Sequence, residues 1–215
     1  MNKNQIISFL GDSITEGCGA SKQENCYVNL VGKKLNCQAR NCGISGTCIT
    51  PDKEFYLTHL MSLDFHLRLP AIDSNSDMVF VFGGTNDYGH GRALMGEKDS
   101  RDIYTFRGAV RLLIEKLIDR FGKDKVFFIT PCHRYSENEV GINLKEKLYL
   151  KDFVNAEIEI LNEYDIKYID LFNNWVDRPT TKQNSEYFAD GLHPNDNGHK
   201  AIAEIICKFI KNLEK

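Results

Sequence analysis

The chain has 215 residues, 42% apolar and 27% charged, ordinary globular proportions that exclude disorder, a collagen-like repeat and a coiled coil. Lys and Arg number 27 against 30 Asp and Glu, a formal charge of −3, so charge gives no reason to expect nucleic acid or an anionic membrane as the main partner. The length suits one domain with a sizeable core, and no repeat or low-complexity linker divides it, so residues 1–215 are expected to form a single unit.

In chain order, the apolar run Ile6–Leu10 stops at Gly11-Asp12, too short for a secretory h-region or a membrane span. It reads instead as a buried strand. Tyr27, Val31 and Leu35 mark an early helix, and Gln38–Asn41 a weak second strand. Within the long Pro51–Asp77 connection, Phe55–Leu69 is expected to form an amphipathic helix. Met78–Phe82 and Val126–Thr130 are apolar runs of the kind buried on both faces of a sheet, and Tyr168–Leu171 is a further strand. Between them Phe106, Val110, Leu113, Leu117 and Phe121 keep a helical period that ends at Gly122. Leu144, Leu148, Val154, Ile158 and Leu161 suggest another helix. Ile202, Ile205, Ile206, Phe209 and Leu213 suggest the last, with Asn195 as its N-cap. The alternation predicts an α/β protein with a parallel sheet covered on both faces.

The seven cysteines, at 18, 26, 37, 42, 48, 132 and 207, cannot all pair within one chain, and no C-x-x-C occurs. Reduced thiols and a cytoplasmic location are therefore expected, with no membrane insertion.

In an open parallel sheet, ligands bind beyond the carboxyl ends of the strands. There the chain places Gly11-Asp12-Ser13-Ile14-Thr15-Glu16-Gly17, Asn41-Cys42-Gly43-Ile44-Ser45-Gly46, Gly83-Gly84-Thr85-Asn86-Asp87, Pro131-Cys132-His133, and finally Asp190-Gly191-Leu192-His193-Pro194. Each piece alone has a structural explanation: Ser13 as a helix cap, Gly43 and Gly46 as turn glycines, Asn86-Asp87 as an Asx turn, Asp190 and His193 as a capping pair. Together they form a hydrolytic set. Ser13 is the candidate nucleophile at a helix N-terminus. His193 is the candidate general base and acid, and Asp190 the acid that fixes its tautomer. The Ser13 amide, the Gly43 amide and the Asn86 carboxamide are candidate oxyanion donors. Asp12, Tyr88 and His133 are candidate substrate contacts on the same loops.

These blocks, Gly-Asp-Ser-Ile-Thr-Glu-Gly, Asn-x-Gly-x-Ser-Gly, Gly-Thr-Asn-Asp and Asp-x-x-His-Pro, resemble the four blocks of the SGNH hydrolases, the GDSL esterase/lipase superfamily, in the family's order and over residues 11–194. The four residues that name the family fall on Ser13, Gly43, Asn86 and His193, with Asp190 as the triad acid. The resemblance implies a three-layer α/β/α, flavodoxin-like fold with a five-stranded parallel sheet and no metal or organic cofactor. It also implies hydrolysis of a small-molecule ester or thioester through an acyl-serine. Cys18, one residue past the first block, and the Pro51–Asp77 segment depart from the pattern near the expected pocket rim.

Competing readings have less behind them. Gly43-Ile44-Ser45-Gly46 resembles a G-x-S-x-G elbow, but Thr47 stands where the last glycine belongs. A metallophosphoesterase needs several Asp and His ligands, with a histidine after the first strand, which this chain does not have. No Gly-Lys-Ser/Thr follows the glycines, so they do not make a P-loop. A non-catalytic binding module on the same fold is the second class, and it would be marked by a missing triad member. Glycines and aromatics near the active loops favour short acyl esters, acetyl groups on carbohydrate included, over lysophospholipids or acyl thioesters.

Overall fold

In the computed structural model, residues 3–52, 64–90, 94–139, 146–175 and 177–213 are described. Five strands form one all-parallel sheet: β1 (Ile6–Gly11), β2 (Gln38–Gly43), β3 (Met78–Phe82), β4 (Val126–Ile129) and β5 (Tyr168–Ile169). Their order is β2-β1-β3-β4-β5, the flavodoxin-type order, in which the direction of winding reverses between β1 and β3.

Alternation along the strands sorts the core into two layers. Ile7 and Phe9 of β1, Phe80 and Phe82 of β3, and Phe127 and Ile129 of β4 face α2 (Tyr27–Leu35) and α7 (Asp196–Leu213). Leu10, Val79, Val81, Val126 and Phe128 face α4 (Phe106–Phe121) and α5 (Leu150–Glu163). On the first face Phe9, Phe80 and Phe127 are register partners, and their rings stack in a ladder with centroids 5.4 and 5.1 Å apart. Such cross-strand aromatic pairs fix register as well as adding burial.

Helix ends follow the local chemistry. Thr105 Oγ1 accepts the Gly108 N–H at 3.2 Å to open α4, which stops before Gly122. Asn195 Oδ1 accepts the N–H groups of Asn197 and Gly198 at 3.0 and 3.2 Å at the start of α7, as its type and position predict. No helix among the described residues is long and apolar enough to cross a membrane. All seven cysteines are unpaired.

Three expectations change. The strand expected at Tyr168–Leu171 is two residues long, because Asp170 caps a short helix, α6 (Leu171–Asn174), by accepting the Asn173 N–H. Leu148 lies outside α5, which begins at Leu150; Leu144 falls outside the described residues. Of the helix expected over Phe55–Leu69, residues 53–63 lie outside the described residues. The rest is a turn running into a 3-10 helix at Leu69–Ala71, because Asp64 Oδ1 draws the His66 and Leu67 N–H groups into a tight turn.

Candidate active site

Ser13 opens α1 (Ser13–Glu16), two residues beyond the end of β1. Asp12 caps this helix, its Oδ1 accepting the Ile14 N–H at 3.0 Å. The Ser13 N–H lies in the first turn, before any intrahelical bond. Gly11, Gly43 and Phe82 are register partners, so the loops after β2, β1 and β3 leave the sheet side by side at the switch point. Gly43 cannot be replaced there: a Cβ on it would sit 2.2 Å from the Glu16 amide nitrogen.

His193 arrives from the other end of the chain. A network outside the site brings it in: Asp196 accepts Ser21 N–H and Oγ–H at 2.8 and 2.7 Å and Asn25 Nδ2–H at 2.8 Å. The buried His199 bridges the same two segments, Nε2 donating to Cys18 O at 3.2 Å while Nδ1 accepts the Tyr27 N–H at 3.3 Å. Gly19 lets the backbones touch, since a Cβ there would lie 2.2 Å from Pro194 O.

The result is a continuous chain of bonds. His193 Nδ1 lies 2.7 Å from Asp190 Oδ2, and His193 Nε2 lies 3.0 Å from Ser13 Oγ. An ionised carboxylate only accepts, so Nδ1 carries the ring proton of the neutral imidazole and Nε2 is left to accept the Ser13 hydroxyl. Asp190 Oδ1 also accepts the His193 and Leu192 N–H groups at 2.7 and 3.0 Å. Partial burial pushes the Asp190 carboxyl up, but the bonds from His193 and Leu192 outweigh it and hold the group below its ordinary value.

The expected oxyanion donors are unequal. The Asn86 side chain, on α3 (Thr85–Gly89), is 5% exposed and gives one Nδ2–H to Thr47 O at 3.0 Å; among the described residues no acceptor takes its second hydrogen. The Gly43 N–H is already engaged, donating to Asn41 Oδ1 at 2.9 Å, while Asn41 Nδ2 holds Thr15 O at 2.7 Å. Gly43 therefore reaches an oxyanion by sharing its hydrogen or after Asn41 swings away.

All three expected substrate contacts are buried. Tyr88 packs on Phe153 in the core, and its hydroxyl donates to the carbonyls of Ser136 and Glu139. It faces inward because α3 packs that side against α5. His133 is 1% exposed, bonds Glu137 at 2.6 Å through Nδ1 and packs on Phe172. Asp12 is 2% exposed and acts as the α1 cap. Cys18 Sγ lies 3.2 Å from Ser45 Oγ, and Ser45 is bound in turn by the Glu16 carboxylate. Among the described residues no group of three or more His, Cys, Asp and Glu is arranged to hold a metal ion.

Burial pushes the Asp12 carboxyl from 3.8 up to about 6, against the lowering effects of the Ile14 N–H, His193 and Arg68. The native state therefore holds this proton more tightly than the unfolded chain. That stabilising contribution is full below about pH 4 and is lost as pH rises through about 6. Asp12→Asn keeps the cap and does not ionise. Its stability relative to wild type is expected to rise by up to about 3 kcal/mol from about pH 4 to about pH 7, as read by urea unfolding at both pH values. A difference that stays constant with pH would contradict the buried-carboxyl assignment.

The profile of the GDSL-like lipase/acylhydrolase family matches residues 9–201. The chain belongs to this family. A crystal structure of a Lactobacillus plantarum protein superposes on this chain with a TM-score of 0.82 at 26% identity, covering 98% of both chains. The lipase/acylhydrolase from Enterococcus faecalis shares the fold, with a TM-score of 0.66 at 24% identity over 97% of this chain and 96% of that one. Among curated proteins, an acetylxylan esterase of Xylanibacter ruminicola is 22% identical over 95% of this chain, which spans 43% of that relative's length.

Sequence reasoning missed three residues of the candidate site. Asp87 accepts the Ile49 and Thr50 N–H groups at 3.0 and 2.9 Å, pinning the loop after β2 beside Asn86. Thr47 holds the Asn86 carboxamide. Arg68 sits behind both loops. Asp87 had a signal in its block; Thr47 and Arg68 carried none.

Proposed function

We propose that this acylhydrolase is a serine-dependent carboxylic ester hydrolase that removes short acyl groups, acetyl in particular, from a small or carbohydrate alcohol. The observation that carries the proposal is the Asp190–His193–Ser13 chain at 2.7 and 3.0 Å. As Ser13 Oγ bonds to the ester carbonyl carbon, its proton passes to His193 Nε2 and Asp190 steadies the imidazolium. The carbonyl oxygen takes up negative charge against the Ser13 N–H and the Asn86 carboxamide, with Gly43 as the third donor. His193 then protonates the alcohol oxygen as its bond to the acyl carbon breaks. Water reverses the sequence: its proton goes to His193, its oxygen bonds to the acyl carbon, and Ser13 leaves with the proton returned.

Two features support a short acyl group on a polar alcohol. Glu16 and Ser45, bonded to each other at the end of α1, and Asp190, bonded to His193, are solvent-exposed polar residues, an edge suited to hydroxyls rather than to an alkyl chain. The curated relative is named for acetylxylan. The test is hydrolysis of p-nitrophenyl esters from acetate to dodecanoate by wild type and Ser13→Ala. The expected result is turnover that falls with chain length and disappears in the variant. A preference for long chains would keep the mechanism and overturn the acyl assignment, whereas equal rates for the two proteins would remove Ser13 from the mechanism.

A further inference from the structure

Arg68 is 5% exposed, and three of its hydrogen bonds reach backbone or side chain beside a candidate oxyanion donor. Its Nη1 donates to Cys42 O at 2.7 Å, the carbonyl of the peptide whose N–H belongs to Gly43. Its Nη2 donates to Gly11 O at 3.0 Å, the last carbonyl of β1 before Asp12 and Ser13. The same nitrogen donates to Thr47 Oγ1 at 2.8 Å, on the residue whose carbonyl holds the Asn86 carboxamide. One side chain thus touches the supports of all three donors. The guanidinium is itself fixed, lying 4.8 Å from the centre of the fully buried Phe65 ring and presented by the Asp64 turn.

We infer that Arg68 is a positioning residue of the oxyanion site, locking the ends of β1 and β2 and the Thr47 segment into one frame and polarising the Cys42–Gly43 peptide. A cation on a peptide carbonyl strengthens the N–H at the other end of the same peptide as a donor, and in a low-dielectric setting that effect is transmitted with little screening. Five donors in a rigid plane allow one guanidinium to serve three acceptors; the point charge of a lysine does not. The inference rests on the serine-hydrolase reading above.

The test is Arg68→Lys assayed on p-nitrophenyl acetate, with rates normalised to the serines titrated in the burst. Positioning predicts an unchanged number of reactive serines, kcat per site lower by about 10- to 100-fold, and KM within about twofold. Inhibition by methaneboronic acid, which forms a tetrahedral adduct on the serine, should weaken by the same factor as kcat/KM. A merely structural role would lower the count of reactive serines and leave kcat per site intact, and that result would overturn the inference. Should Arg68→Lys fail to fold, Thr47→Val decides, since it removes one of the three acceptors at nearly constant volume. There a fall of about fivefold in kcat per site is expected, and an unchanged value overturns the inference. Ser13→Ala run in parallel separates the two levels. An inactive Ser13→Ala beside a fully active Arg68→Lys removes Arg68 alone, while an active Ser13→Ala removes the serine mechanism and Arg68 with it.

Discussion

Ser13→Ala and His193→Ala are each expected to lower kcat by on the order of 10⁴- to 10⁶-fold, and the double variant to lose no more than the worse single one. The reason is the 3.0 Å bond between Ser13 Oγ and His193 Nε2, which makes the hydroxyl and the imidazole one functional unit. A serine hydroxyl at neutral pH is a poor nucleophile until a base takes its proton, and an imidazole has no role here without a serine to deprotonate. Removing either destroys the same step. KM should change little, because neither group holds the ester in the ground state. The check is single-turnover kinetics on p-nitrophenyl acetate with all three variants. Losses that multiply in the double variant would mean that the two residues act in separate steps.

Asp190→Asn is expected to be more damaging than Asp190→Ala, an order opposite to what side-chain size suggests. In the native loop Oδ1 of Asp190 is held by two backbone donors, the N–H groups of Leu192 and His193, and Oδ2 faces the His193 ring. An asparagine there must keep its oxygen on the backbone donors, which turns its NH₂ toward His193 Nδ1. That nitrogen becomes an acceptor, the ring proton moves to Nε2, and the imidazole no longer accepts the Ser13 proton. A loss of kcat on the order of 10⁴-fold follows. In Asp190→Ala, water takes the place of the carboxylate, because the Asp190 side chain is half exposed, and the productive tautomer stays accessible. The loss there is expected to be about tenfold smaller than for asparagine. Steady-state rates for the two variants across about pH 6 to 9 check the order. Equal losses would mean that charge, not the tautomer, is what Asp190 contributes.

How much of this was legible beforehand depended on sequence separation. The Asp190–His193 contact spans three residues of one loop, so spacing alone made it readable. Strands β1, β3 and β4 announced themselves as apolar runs because both of their faces are buried. The weak signal of β2 has a physical cause: as an edge strand it exposes Gln38, Arg40 and Asn41, and its pattern is diluted by polar residues. Tyr88 misled because a residue adjoining an active-site block was taken to share its direction, whereas the short α3 sends Asn86 toward the site and Tyr88 into the core.

The sequence by itself determined the local chemistry: which loop bears the hydroxyl, which the carboxylate and imidazole, which faces of the strands and helices are apolar, and where the caps fall. Each of these follows from residue type and spacing within about a dozen positions. The tertiary structure alone decided that His193 meets Ser13 across 180 residues, through Asp196 on Ser21 and Asn25 and His199 on Cys18. It alone decided that Asn41, which holds the Gly43 N–H, is itself anchored on Thr15, and that Arg68, from an unremarkable segment, reaches residues 57, 26 and 21 positions away. The reason is that a buried polar group must find its partner wherever packing brings the chain, and nothing in an arginine's neighbours along the sequence specifies which carbonyls will be waiting.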